Sequence, residues 1–166
     1  VIGATRIAES LPNGLLALSL DLRHCPVGTR GAEALAAQLP EGLRVLQLCF
    51  DGCGVGEAGA CALAAHLPPA LVWLHLDFKG CHIGADGFNA IAKALPASLC
   101  ALRFFLDENS ADDTNVQGLA AKLPKELLEL RLSFGYESDL SDVGLKALAE
   151  ALPDGLRALS LTAGST

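Results

Sequence analysis

Residues 43–70 read LRVLQLCFDGCGVGEAGACALAAHLPPA and residues 71–98 read LVWLHLDFKGCHIGADGFNAIAKALPAS, two 28-residue segments that share leucine, cysteine, glycine and proline positions. The likeness extends in both directions. Leu-Pro occurs at Leu11, Leu39, Leu67, Leu95, Leu123 and Leu152, spaced by 28 four times and then by 29. Each following segment opens L-x-x-L-x-L: Leu15, Leu18, Leu20; Leu43, Leu46, Leu48; Leu71, Leu74, Leu76; Leu99, Leu102, Phe104; Leu127, Leu130, Leu132; Leu156, Leu159, Leu161. Six copies in register are not coincidence, so the repeat is the unit of the fold.

Within a unit, apolar residues alternate with a period of two and continue through Leu22, Phe50, Phe78, Leu106 and Phe134, which predicts a strand with one buried face. A turn follows, then G-x-x-G pairs such as Gly28 and Gly31, then a helical stretch of the type GAEALAAQLP in which Leu35 and Leu39 share a face. Proline closes each helix. Adjacent strands joined by a helix run parallel, so the chain is predicted to be an α/β solenoid. We divide it as a single array over 1–166: a partial repeat 1–14, full repeats 15–42, 43–70, 71–98, 99–126 and 127–155, and a partial repeat 156–166.

These residues resemble leucine-rich repeats of the ribonuclease-inhibitor-like class, over the whole chain. The pattern L-x-x-L-x-L-x-x-N/C-x-L is recognisable with two extra residues before the N/C position, which holds Cys25, Cys53, Cys81 and Asn109. The helix wording GAEALA, GACALA and GLKALA is also similar to GALA-type repeats. The resemblance implies a leucine-rich-repeat solenoid, a curved horseshoe segment with a parallel concave β-sheet and convex helices. It further implies that the N/C side chains turn inward as a structural ladder, and that the function is non-catalytic protein recognition.

Composition narrows the function classes. The 166 residues are 51% hydrophobic, 19% charged and 5% aromatic, with a mean hydropathy of +0.40, which suits one domain with a buried core. No uninterrupted apolar run reaches about 18 residues, so direct membrane insertion is not expected, and no signal peptide is visible. Twelve basic against nineteen acidic residues leave a formal charge of −7, which opposes nucleic acid as a partner. With six cysteines in no disulfide-like spacing and no glycosylation sequon, an intracellular, reducing compartment is expected. Arrays of this kind carry polar caps at their ends, whereas here Val1 opens inside a helical half-repeat, Thr166 follows the sixth strand and no Met occurs. The residues are therefore expected to be a processed or trimmed part of a longer array, or a piece whose ends partners cover.

Several motifs imitate chemistry. Gly54, Gly56 and Gly59 spell G-x-G-x-x-G between a strand and a helix, with Asp77 eighteen residues on, as a dinucleotide fingerprint would. Equivalent segments keep only G-x-x-G, as at Gly28 and Gly31 or Gly84 and Gly87, so Gly56 and Gly59 belong to the repeat and Gly54 alone is extra. Cys25, Cys53 and Cys81 with His24 and His82 suggest a metal site, but no C-x-x-C pair is present and zinc needs convergent ligands. No metal or cofactor is expected. His66 is placed on a helix, His24 and His82 in turns, and only His75 on the sheet, so no catalytic set converges and the chain is read as no enzyme. Asp107, Glu108, Asp112 and Asp113 after the fourth strand, with Glu137, Asp139 and Asp142 after the fifth, are expected to form an acidic loop rim.

What remains is the outward side of the strands, the surface through which such arrays bind. Its expected positions are Ala17, Ser19, Asp21 and Arg23; Val45, Gln47, Cys49 and Asp51; Trp73, His75, Asp77 and Lys79; Ala101, Arg103, Phe105 and Asp107; Glu129, Arg131, Ser133 and Gly135. Trp73 is the only tryptophan, and Trp, Tyr and Arg dominate interface energetics. Val45, Gln47, Trp73, His75, Arg103, Phe105 and Arg131 are therefore the expected protein-binding patch of an interaction module or scaffold. The alternatives are an accessory subunit of a large assembly, held through its ends and acidic rim, and the sensor part of a longer nucleotide-binding receptor or effector.

Overall fold

The computed structural model describes residues 1–135 and 138–163. Strand and helix alternate through α1 (Ile2–Glu9), β1 (Ala17–Asp21), α2 (Gly28–Ala37), β2 (Val45–Cys49), α3 (Gly56–Ala65) and β3 (Trp73–Asp77). The chain continues through α4 (Gly84–Ala94), β4 (Ala101–Phe105), α5 (Asp113–Ala120), β5 (Glu129–Gly135), α6 (Asp142–Glu150) and β6 (Ala158–Ala163). The six strands make one open sheet in sequence order, every pair parallel. Register follows the repeat, so Leu18, Leu46, Leu74, Leu102, Leu130 and Leu159 stand side by side.

One face of the sheet packs on the helices. Leu46, Leu48, Leu74, Leu76 and Leu102 are fully buried there, as the period-two alternation requires. Behind them, Phe50 stacks on Phe78 with ring centroids 5.8 Å apart, Phe78 meets Phe104 edge-on at 6.2 Å, and Phe88 of α4 lies 5.5 Å from Phe104. These rings run across successive repeats, so the core is continuous along the array rather than closed within one unit. In β6 the column ends differently: Leu159 and Leu161 remain 51% and 40% exposed, with no further layer against them among the described residues.

The helix pairs explain the glycines. A Cβ built on Gly59 would fall 2.8 Å from Val55 Cγ1 and 3.1 Å from the Ala32 Cβ of α2, and one on Gly87 would fall 2.9 Å from the Ala60 Cβ of α3. Gly59 therefore lets neighbouring helices touch, whereas Gly54 and Gly56 hold left-handed backbone with φ of 63° and 70°, so the glycines of the apparent dinucleotide motif serve helix packing and the turn.

Before α2, α3, α4 and α5 the chain turns through left-handed backbone at His24, Gly52, Gly80 and Glu108, with φ of 58°, 65°, 60° and 61°. The next residue in each case is the ladder position. Cys53 Sγ donates to the Leu22 carbonyl and Cys81 Sγ to the Phe50 carbonyl, each at 2.8 Å, and Asn109 Nδ2 donates to the Phe78 carbonyl at 2.7 Å. Asn109 Oδ1 also accepts from the Ile83 backbone N–H at 3.1 Å. Cys25 differs: it is exposed, because each ladder group reaches the preceding repeat and none of the described residues stands before Cys25 in that role. His66 lies just past the end of α3, as its C-cap, rather than within the helix.

Candidate functional site: the open face of the sheet

The face opposite the helices presents three rows that cross the strands in register. Ala17, Val45, Trp73, Ala101 and Glu129 form the first, Ser19, Gln47, His75, Arg103 and Arg131 the second, and Asp21, Cys49, Asp77, Phe105 and Ser133 the third. Parallel strands about 4.8 Å apart place successive members of a row in side-chain contact.

Trp73 points to this face and is half-buried rather than fully exposed. His75 meets it edge-on at a centroid distance of 5.9 Å, and the Arg103 guanidinium carbon lies 5.5 Å from the ring centroid, within cation–π range. On its other side His75 meets Phe105 edge-on at 5.1 Å. The structure thus joins Trp73, His75, Phe105 and Arg103 into one cluster, with Val45 and Gln47 half-buried at its border.

Glu129 controls the charge of the cluster. Arg103 Nε and Arg131 Nε each approach Glu129 Oε1 at 2.8 Å. Arg103 and Arg131 are cross-strand partners, a pairing of like charges that is unfavourable alone, and the shared carboxylate offsets it. The Arg103 hydrogen bond holds the Glu129 carboxyl below its ordinary range. Arg131 is the more exposed arginine, and beside it a groove of about 330 Å³ is lined by Phe105, Asp107, Arg131, Ser133, Ser160 and Thr162.

The third row contains a departure. Cys49, one of the outward positions, is buried, because Gln47 and the side chains of the next strand cover it; Gln47 Nε2 lies 3.6 Å from its sulfur. Burial pushes the Cys49 thiol and the Asp77 carboxyl up, and burial followed by the nearby Arg103 charge pushes His75 down. One ligand-type atom each of Cys49, His75 and Asp77 lies within 4.8 Å of the others. The metal candidates legible in the sequence, Cys25, Cys53 and Cys81 with His24 and His82, do not include this set. The available signal was that Cys49 and Asp77 stand 28 apart on the outward column, with His75 two residues before Asp77.

The expected acidic rim is partly tied into the fold. Asp112 caps α5, accepting from the Asn115 N–H at 2.9 Å in a capping box. Asp113 accepts from the Ser141 N–H at 2.9 Å, the Ser141 hydroxyl at 2.5 Å and the Gly144 N–H at 3.0 Å. Asp107 accepts from the Ser133 hydroxyl at 2.8 Å, and Glu108 lies 3.6 Å from Lys79 Nζ. Asp139 and Asp142 are exposed, and Glu137 lies outside the described residues. No helix among the described residues is long and apolar enough to cross a membrane.

Residues 18–36 match the family model described as Leucine Rich repeat. No curated protein matches the chain. Among solved structures, the fold is similar to that of the leucine-rich repeat-containing protein LegL7 from Legionella pneumophila, with a TM-score of 0.58 and 18% identity over 95% of this chain. The match covers 51% of that protein, so the present chain spans about half its length. At this identity the likeness concerns the fold, and it agrees with the repeat read from the leucines.

Proposed function

The chain has the fold of a leucine-rich-repeat protein, and from that premise we propose that it works as a non-catalytic protein-recognition module through the open face of its sheet. The supporting observation is the cluster of Trp73, His75, Phe105 and Arg103 at the middle of that face, with a groove beside Arg131. The partner that fits is a protein segment offering an apolar or aromatic side chain to Trp73 and Phe105 and a carboxylate to Arg131. The strands fix the backbone in advance, so little ordering entropy opposes docking. Aromatic and arginine anchors at the centre of a patch carry most of the energy of such interfaces.

The test is photo-crosslinking from Gln47 and Arg131 in the native protein, compared with Glu33 on a helix. Capture of one protein species from the two sheet positions, and loss of roughly 30-fold in its affinity on Trp73→Ala, is the expected result. Capture only from the helix position, or an unchanged affinity, overturns the proposal. A second reading, an accessory subunit held through an end face, is favoured by the exposed Leu159 and Leu161 of β6. It predicts crosslinks from Ser160 to another subunit while the Trp73 face stays free.

A further inference from the structure

We propose that Cys49, His75 and Asp77 form a binding site for one divalent transition-metal ion of the zinc class, on the open face of the sheet, with one coordination position left toward solvent.

The placement follows from register. Cys49 and Asp77 are direct partners across β2 and β3, and His75 precedes Asp77 by two residues, which puts it on the same face. The three ligand atoms already lie within 4.8 Å of one another. A tetrahedral zinc ion holds its ligand atoms about 3.5 Å apart, so side-chain rotation of about 1 Å closes the set without moving a strand.

Independent of that spacing, His75 Nε2 is shut off from solvent and has no hydrogen-bond partner among the described residues. A buried polar atom without a partner is uncommon and costs about 1 to 3 kcal/mol. Its neighbours do not relieve it: Trp73 and Phe105 present rings to the imidazole, at 5.9 and 5.1 Å. An imidazole that meets two aromatic rings, keeps a buried nitrogen without a partner and offers a ring nitrogen within 4.8 Å of a thiol sulfur and a carboxylate oxygen is organised as a ligand rather than as a hydrogen-bonded core residue.

The donor set matches the ion. Sulfur, nitrogen and oxygen together suit a borderline cation such as zinc or cobalt, whereas calcium and magnesium take oxygen alone. A thiolate and a carboxylate balance the two positive charges, the thiol proton leaving to solvent as the metal–sulfur bond forms. Outer contacts orient the ligands: the Lys79 N–H donates to Asp77 Oδ1 at 3.1 Å, and Gln47 Nε2 stands 3.6 Å from Cys49 Sγ. The nearby cations are already paired, Arg103 with Glu129 and Arg23 with Asp21.

The site is tested on the free protein, so its failure would leave protein recognition standing and a neutral Trp73→Ala would leave the site standing. Titration with Co²⁺ is expected to give a thiolate-to-cobalt charge-transfer band that saturates at one ion per chain and is displaced by Zn²⁺. Cys49→Ser should abolish the band, and His75→Gln and Asp77→Asn should each weaken binding by roughly 100-fold or more, with circular dichroism unchanged. No band, a band that survives Cys49→Ser, or unaltered affinity in both His75→Gln and Asp77→Asn overturns the proposal. If Cys49→Ser does not fold, the other two variants decide, because both residues are only half-buried.

Discussion

The Cys81 thiol donates to the carbonyl of Phe50, 31 residues earlier, at 2.8 Å. Cys53 stands in the same relation to Leu22, and Asn109 to Phe78. One side chain per repeat thus fastens its turn to the strand end of the repeat before it. Burial pushes the Cys53 thiol up to about 11 and raises that of Cys81, so both keep the proton they donate.

Cys81→Ala should therefore destabilise the array by about 1 to 2 kcal/mol, combining a lost hydrogen bond with a small cavity. The cost stays at that level because the Phe50 carbonyl still accepts from the Cys53 N–H at 2.8 Å. Cys81→Asn should lose less than the alanine variant, since Asn109 fills the same role one repeat on. Urea unfolding checks both, and an asparagine variant as weak as alanine would deny the ladder its hydrogen bond.

At Gly87 two effects oppose each other. Alanine in a helix interior gains about 1 kcal/mol over glycine, but its Cβ would sit 2.9 Å from the Ala60 Cβ, which no rotation can move away. Overpacking of that kind costs about 1 to 3 kcal/mol, so Gly87→Ala should be net destabilising and Gly87→Val more so. Gly3 in α1 has nothing within 4 Å of the added carbon, and Gly3→Ala should be neutral or stabilising. Equal thermal shifts in the two alanine variants would contradict close packing of α3 on α4.

Glu129 makes the central patch pH-dependent. Its folded carboxyl titrates below the ordinary 4.5, chiefly through the Arg103 hydrogen bond. A carboxyl depressed on folding contributes stability that is fully present above its unfolded value and is lost as pH falls through the folded one. Emission from Trp73, the only tryptophan, should thus change below the ordinary carboxylate range as Arg103 is released, a step that Glu129→Gln removes, whereas any response to the adjoining His75 imidazole is common to both proteins. Glu129→Gln should show the altered emission at neutral pH and little acid transition; a wild-type transition in that variant would assign the effect to another group.

The strands, their parallel order and their register were legible because one 28-residue period fixes which leucines are neighbours. The turns were half legible: Gly52 and Gly80 announce left-handed backbone, but His24 and Glu108 adopt it at the same place, driven by the repeat rather than by their own preference. Lateral relations were not legible. Alternation along β2 marks Cys49 as outward, yet its burial comes from Gln47 and from the neighbouring strand. The charge cluster after β4 likewise reads as a solvated rim, whereas the capping role of Asp112 and the partners of Asp113 depend on how the turn meets the next repeat.

Asp113 is where that difference becomes measurable. Its carboxylate takes two hydrogen bonds from Ser141 and one from the Gly144 N–H, and these contacts hold it below the ordinary carboxylate range. They fasten the start of α6 to the start of α5. In an array each unit is stabilised mainly by its neighbours, so Asp113→Ala should weaken the coupling of α6 while leaving α2, α3 and α4 intact. Hydrogen exchange should show faster amides in α6 and unchanged ones in α3. Gly144→Ala should act the same way, because its Cβ would fall 2.5 Å from Asp113 Oδ1. With the folded carboxyl depressed, the protection of α6 is fully present above about pH 4 and falls away below it. No loss of protection in α6 would show that Asp113 is a solvated rim charge after all, and uniform loss along the whole chain would show that the array opens as one unit rather than repeat by repeat.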